Sequence, residues 1–462
     1  MSMVLREWQK ACIEKALRHF QHSRHFFCQA TPGAGKTRMA AQLAKEMLEK
    51  KSIDLVLCFA PSCQVVDGFR VVFSKILGRR MDGYVGAIGD ASTYQGMDTK
   101  GEEFWDLFQQ YRVLAVFDEI HHCAGYNIES SNTWGSTVIS RIQNQAAYTL
   151  ALSGTPWRSD DKAIALGRYS AVEGTLACDY RYGLQQAIED NVCRSPRITL
   201  IDNHHLQLTE RSEQNHLTSH YENFGHLLES SPLCFEDILR NEEILDHILD
   251  LGCKKLTQVR KRNPTAAGLV VATDTKHAQM IAKKLQSRGE NCRVVTTKTG
   301  GAQDSINEFR SGIGCWIIAV GMISEGTDIP RLQVCCYLSR IRTELHYRQV
   351  LGRILRRTGT SDDQAWLFVV AEPSLIEYSR RISEDLPQDL AVVKMHVGSR
   401  PAKEDSINDS SDTYIDTLHL HSTYDELPDR SNYLATARIR ESYTTYELGV
   451  SSLFRLELLE IL

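Results

Sequence analysis

The sequence predicts an α/β protein of two tandem domains with parallel sheets, a helical connector between them and a C-terminal extension. Three observations lead there. The apolar run Phe26-Phe27-Cys28 stops at a Gly-rich turn ending Gly35-Lys36-Thr37, after which Met39, Leu43 and Met47 recur at helical spacing. The run Val113-Leu114-Ala115-Val116-Phe117 is continuously apolar, as in a strand buried on both faces, and ends in Asp118-Glu119. From residue 244 onward, strand-like runs at 268–273, 293–297, 315–320, 334–339 and 365–371 alternate with helical segments, the pattern of a parallel sheet covered by helices.

In chain order, residues 1–200 read as the first domain, closing after the segment 179–184. Residues 201–240 are polar and His-rich without a strand pattern, which predicts the helical connector. His216 and His220 are spaced i, i+4 there, but no third ligand type joins them, so they are expected on a solvated helix. Residues 241–385 form the second domain. Residues 386–462 form the extension, with a polar, acidic linker over 400–430. The apolar end, 451–462, reads as a helix folding back on the chain's own core, with a helix that docks a partner as the alternative.

The turn is a phosphate cradle. Thr31, Pro32, Gly33, Ala34 and Gly35 form the turn, whose glycines let backbone N–H groups face phosphate oxygens, and Lys36 can reach the β- and γ-phosphates. Thr37 can ligate Mg²⁺, and the following helix adds the partial positive charge of its N-terminus. Ala30 stands where the stringent pattern has glycine, so the match is relaxed. Asp118 and Glu119 fall at the C-terminal edge of their sheet, where ligands bind in open α/β folds. Asp118 suits the Mg²⁺ shell, and Glu119 suits the base that deprotonates a water attacking the γ-phosphate.

Further segments follow in fixed order: Leu5-Arg6-Glu7-Trp8-Gln9, Ser153-Gly154-Thr155-Pro156, Gly326-Thr327-Asp328 and Gln349-Val350-Leu351-Gly352-Arg353-Ile354-Leu355-Arg356. With these motifs the chain resembles the superfamily 2 helicases over about residues 4 to 371. It looks closest to the DEAH-like branch that holds the motor (Res) subunits of type III restriction enzymes. The resemblance implies two RecA-like domains and a nucleic-acid-dependent ATPase using ATP and Mg²⁺. It also implies roles for particular residues. Arg6 and Gln9 would read the adenine, and Gly326 and Asp328 would face the nucleotide. Ser153, Thr155, His121 and Gln349 would couple hydrolysis to domain movement. Arg353 and Arg356, placed with Gln349 on one helical face, would act as arginine fingers. Pro61, Ser62, Thr93, Tyr94, Gln95, Thr273 and Thr327 would line a strand-binding groove, contacting the backbone without reading sequence. The branch favours DNA over RNA. A nucleotide-gated DNA-binding switch or recruitment subunit, and an RNA helicase, remain as alternatives.

Composition narrows the class. The net charge of −5 sets no strong attraction to a polyanion. Residues 403–430 hold eight acids and two bases, a net of −6, which leaves +1 for the rest. Attraction to nucleic acid must therefore be local, with Arg340, Arg342, Arg348 and Arg357 as contributors. No apolar stretch approaches the ~18 residues that span a bilayer, and the N-terminus lacks a signal-peptide shape. Thirteen dispersed cysteines without a Cys-x-x-Cys pair read as reduced thiols of a cytoplasmic protein. No nuclease pattern is present, so cleavage in such a pathway would come from a partner subunit, docked through the C-terminal extension.

Overall fold

The computed structural model describes residues 4–125, 131–156, 158, 162–169, 176–212, 216–296, 302–312, 314–321, 329–357, 359, 362–384, 392–396 and 445–460. The first sheet is parallel and is assembled from β1 (His25–Ala30), β2 (Leu55–Ala60), β3 (Gly89–Thr93), β4 (Val113–Asp118), β5 (Tyr148–Ser153) and β6 (Tyr180–Tyr182), in the spatial order β3-β2-β4-β5-β1-β6. Its central strands β4 and β5 are each buried at all but one terminal residue, because helices cover both faces. Three of those helices matter for the site: α1 (Glu7–His19), α2 (Lys36–Glu49) and α3 (Cys63–Leu77). β1 and β4 flank β5 and run parallel to it, so the phosphate turn and Asp118-Glu119 emerge on one edge.

The second sheet begins earlier than the sequence suggests. β7 (Ser195–Asn203) pairs in parallel with β14 (Gln364–Val370), so residues 195–200 belong to the second domain. The remaining parallel strands are β10 (Ala267–Val271), β11 (Cys292–Thr296), β12 (Trp316–Val320) and β13 (Leu332–Tyr337), in the order β11-β12-β10-β13-β14-β7.

The connector and the tail are corrections to the sequence reading. Residues 201–240 are not wholly helical. β8 (Leu206–Arg211) and β9 (His216–Tyr221) form an antiparallel hairpin, and the short helices Phe224–Ser230 and Phe235–Arg240 follow. Leu206 and Leu208 alternate with exposed residues and bury one face, which is strand behaviour. His216 and His220 therefore sit on an exposed strand. The acidic stretch 400–430 lies outside the described residues. The apolar end does fold back on the chain's own core, but as a strand. β17 (Phe454–Glu460) pairs antiparallel with β7, and β15 (Val392–His396) pairs with β17. Just upstream of β17, β16 (Thr445–Val450) pairs with β8.

Candidate active site

The phosphate turn needs glycine at two places. Gly33 has φ +81 and Gly35 has φ +94, values at which a side chain strains the backbone. α2 begins at Lys36, so the N-terminus of the helix faces the turn. Lys36 is buried, its Nζ 3.1 Å from the Ala30 carbonyl and 3.3 Å from Glu119 Oε1. α1 fastens to the turn from outside. Arg6 Nη1 donates to Ala34 O at 2.7 Å and Gln9 Nε2 to Gly35 O at 3.0 Å, while the Arg6 N–H donates to Gln9 Oε1 at 2.9 Å. Trp8 of the same helix stacks on Tyr182 with 4.7 Å between ring centroids.

At the end of β4, Glu119 adopts φ +50, an uncommon backbone for a residue with a side chain and a mark of a constrained functional position. The carboxylate is held from two sides. Lys36 pairs with Oε1, while Oε2 accepts the Ser153 hydroxyl and the Gly154 N–H, each at 3.2 Å. His121 Nδ1 lies 3.0 Å from Ser153 Oγ, which also accepts the Thr155 N–H at 3.1 Å. The four residues 119, 121, 153 and 155 thus form one hydrogen-bonded chain leading away from the phosphate turn.

The two neighbouring carboxyls titrate as a pair. Burial raises Asp118, and the adjoining Glu119 charge adds to it, outweighing Lys36 and Arg353. Burial acts on Glu119 in the same sense, but the Lys36 cation and His121 override it and hold it low. Among the described residues Asp118 Oδ1 is buried with no hydrogen-bond partner. An acceptor left in that state fits a Mg²⁺ ligand, with Thr37 on the same cleft.

The second domain supplies the facing wall. Gln349 and Arg353 lie on the helix Glu344–Ile354, and both line a cleft of about 420 Å³ with Lys36, Thr37, Asp118 and Glu119. Arg356 lines it too, but not from the helix face that the i, i+7 spacing implies. The helix ends at Ile354, and Arg356 stands in an isolated bridge with Cys193. The domains approach closely here. A Cβ on Gly352 would lie 2.7 Å from Pro32 Cβ, and one on Gly33 would lie 3.1 Å from Arg356 Cγ.

The expected strand-binding residues do not share one surface. Pro61 lines the nucleotide cleft. Ser62 caps α3, and Thr93 caps the short helix Tyr94–Met97, accepting the Gly96 N–H at 2.9 Å. Tyr94 is wholly buried and donates its hydroxyl to the Asp118 carbonyl at 2.6 Å, so it props the end of β4. Thr273 is buried between His277 Nδ1 at 3.1 Å and Arg240 Nη2 at 3.2 Å. Gln95 is exposed. Burial takes Tyr94 and Thr273 out of reach of a bound strand. Of the four arginines, Arg357 lines the nucleotide cleft, Arg348 pairs with Glu344, Arg342 with Glu372, and Arg340 with Glu236 at 3.8 Å while 67% exposed. Gly326, Thr327 and Asp328 lie outside the described residues. Sequence reasoning missed Gln64, Val192 and Pro330 on the cleft wall. None carries a pattern of its own.

Residues 2–158 match a family model described as type III restriction enzyme, res subunit. An uncharacterized protein of Mycobacterium tuberculosis, MT2985, is 28% identical over 87% of this chain, which spans 65% of that relative's length. The DNA 3'-5' translocase XPB2 of Sulfurisphaera tokodaii is 24% identical over 76% of this chain and 79% of its own. Among solved structures, a fragment of a putative HsdR subunit of a type I restriction enzyme from Vibrio vulnificus aligns with TM-score 0.55 at 16% identity, over 81% of this chain and 66% of that one. The type ISP restriction-modification enzyme LlaBIII, solved bound to DNA, aligns with TM-score 0.51 at 15% identity, over 80% of this chain and 28% of that one. Both likenesses are of fold. Match, relatives and fold agree: the chain is similar to the superfamily 2 helicases, and its residues 2–158 match the res-subunit model.

Proposed function

We propose that the chain hydrolyses ATP in this cleft and couples the hydrolysis to movement on DNA. The carrying observation is the cleft itself, with Lys36 and Glu119 on one wall and Arg353 and Arg356 on the other. The N–H groups of residues 33–37 and the Lys36 ammonium would hold the phosphates. Thr37 and Asp118 would hold Mg²⁺, which supplies charge neutralisation on the phosphate oxygens. Glu119, released from Lys36 as the phosphates take over that cation, would accept the proton of the attacking water. Arg353 and Arg356 would stabilise the charge that spreads over the γ-phosphoryl oxygens. The chain 119–153–121 with Thr155 would pass the change at the γ-phosphate toward the seam. Arg6 and Gln9, already fixed to the turn, would read the adenine.

DNA is preferred to RNA because one relative is named a DNA translocase and one fold neighbour is bound to DNA. We place the chain in the DEAH-like branch on Asp118-Glu119-Ile120-His121. We place it in the cytoplasm on its free cysteines; no described helix is long and apolar enough to cross a membrane. A nuclease subunit is the partner expected in a restriction-type pathway.

ATPase measured alone, with duplex DNA, with single-stranded DNA and with RNA tests the reading, and DNA is expected to stimulate most. A triplex-displacement assay run beside a fork-unwinding assay separates translocation from unwinding. Activity in neither, with ATPase intact, would make the chain a nucleotide-gated switch.

A further inference from the structure

The chain crosses from the first domain to the second between the helix Leu184–Glu189 and β7; in that crossing Cys193 touches both walls of the cleft and Arg194 is anchored in the second domain. Cys193 Sγ donates to the Pro32 carbonyl of the phosphate turn at 3.5 Å, and the same residue bridges Arg356. Arg194 is fully buried. Its N–H donates to Leu355 O at 2.8 Å. Its guanidinium donates through Nε to Asp362 Oδ1 at 2.7 Å, through Nη1 to Ile354 O at 2.7 Å and to Leu332 O, and through Nη2 to Pro330 O at 3.0 Å and to Asp362 Oδ2. All the donors of the guanidinium fork are used.

The acceptors have a common position. Ile354 and Leu355 lie between Arg353 and Arg356, and Pro330 lines the cleft. A helix leaves its last carbonyls without partners, so the chain can leave the helix at Ile354 only if other donors reach them. Arg194 provides two such donors, its N–H and Nη1. A helix continued through 356 would keep Arg356 on the helical surface. The break, held open from behind, puts Arg356 in the bridge with Cys193 and beside Gly33.

We propose that Arg194, locked by Asp362, is a positioning residue for Arg356. The interdomain crossing would then set this arginine against the phosphate turn as well as tether the domains. The proposal rests on the ATPase reading above. The test uses readouts that a purely folding role would not move.

The variants are Arg194→Lys, which keeps the charge but loses the planar fork, and Asp362→Asn, which keeps volume and one acceptor oxygen. In full-length protein with a cooperative melting transition, we expect kcat for ATP to fall about 10- to 100-fold, the scale of a misplaced catalytic group. KM and ADP affinity should stay within about threefold, while affinity for ADP with aluminium fluoride falls in step with kcat. Combining Arg194→Lys with Arg356→Ala should be no slower than Arg356→Ala alone, because the first residue acts through the second. Multiplicative losses in the double variant, or unchanged kcat in Asp362→Asn, would overturn the positioning role. If Arg353→Ala and Arg356→Ala themselves keep normal kcat, the ATPase reading of the arginines fails first. If those two lose activity and the Arg194 and Asp362 variants do not, only the positioning role fails. Should Arg194→Lys not fold, Asp362→Asn, alone and combined with Arg356→Ala, carries the same comparison.

Discussion

The first sheet is built from strands between residues 25 and 182, all parallel, and the phosphate turn, Asp118-Glu119 and Ser153 lie at the C-terminal ends of β1, β4 and β5. The second sheet is assembled differently. β7 enters from the crossing, and β17 returns from the far end of the chain to pair with it antiparallel. Its two arginines sit at the end of a helix whose exit is held by Arg194 and Asp362. The difference teaches that one wall of the cleft is set by local strand-to-helix turns. The other depends on segments distant in sequence, and should be sensitive to changes far from the chemistry.

Removing residues 454–462 would break that contrast most sharply. Phe454, Leu456 and Leu459 are each at most 8% exposed, and their loss should cost about 5 kcal/mol, a large part of a domain's stability. The edge of β7 would be uncovered as well. We expect poor solubility and a second domain that melts early, read by calorimetry and by limited proteolysis. Normal melting with full ATPase would show the tail strand to be dispensable.

Arg356→Ala and Arg353→Ala come next. ATP affinity should stay within several-fold, while kcat falls by about a thousandfold, the lower range for arginine fingers. Equal losses of affinity and kcat would instead mean that the arginines bind nucleotide from the ground state onward. On the opposite wall, Glu119→Gln should lose about a hundredfold in kcat and keep ATP binding, whereas Lys36→Ala should lose binding itself. Equilibrium binding and single-turnover hydrolysis separate the two.

The smallest effect concerns the tail's fit against the second domain. The Phe454 ring stacks on His247 with 3.9 Å between centroids. Burial lowers the His247 imidazole from 6.5 to about 4. A histidine lowered in this way lends stability that is present above pH 6.5. It is lost as pH falls toward 4, because the unfolded chain takes up the proton first. Phe454→Ala should raise the imidazole pKa, seen by NMR titration, and so reduce the part of the acid destabilisation that His247 contributes. An unmoved imidazole would show that other groups keep His247 from water.

The first wall of the cleft was legible in the amino-acid order because its chemistry follows the chain. An apolar strand, a glycine turn and a helix start are adjacent by necessity, and so are a buried strand and the two acids that end it. The alternation of strands and helices between 267 and 370 was legible for the same reason, since a parallel strand needs a crossover helix near it in sequence. Pairing partners were not. Ile198-Thr199-Leu200-Ile201 reads as a strand, yet nothing within it says that it joins β14 and β17. The seven residues of β17 are too few for apolar spacing to separate strand from helix. Leu206 and Leu208 carried a period of two that polar neighbours masked. The burial of Tyr94 and Thr273 depends on what packs over them from other segments. Arg194 shows the limit most clearly. As one arginine in Cys193-Arg194-Ser195-Pro196 it has no local pattern, and its partners lie more than a hundred residues away. Local order decides where a turn or a strand can form; only the packing of distant segments decides which carbonyls face a buried guanidinium.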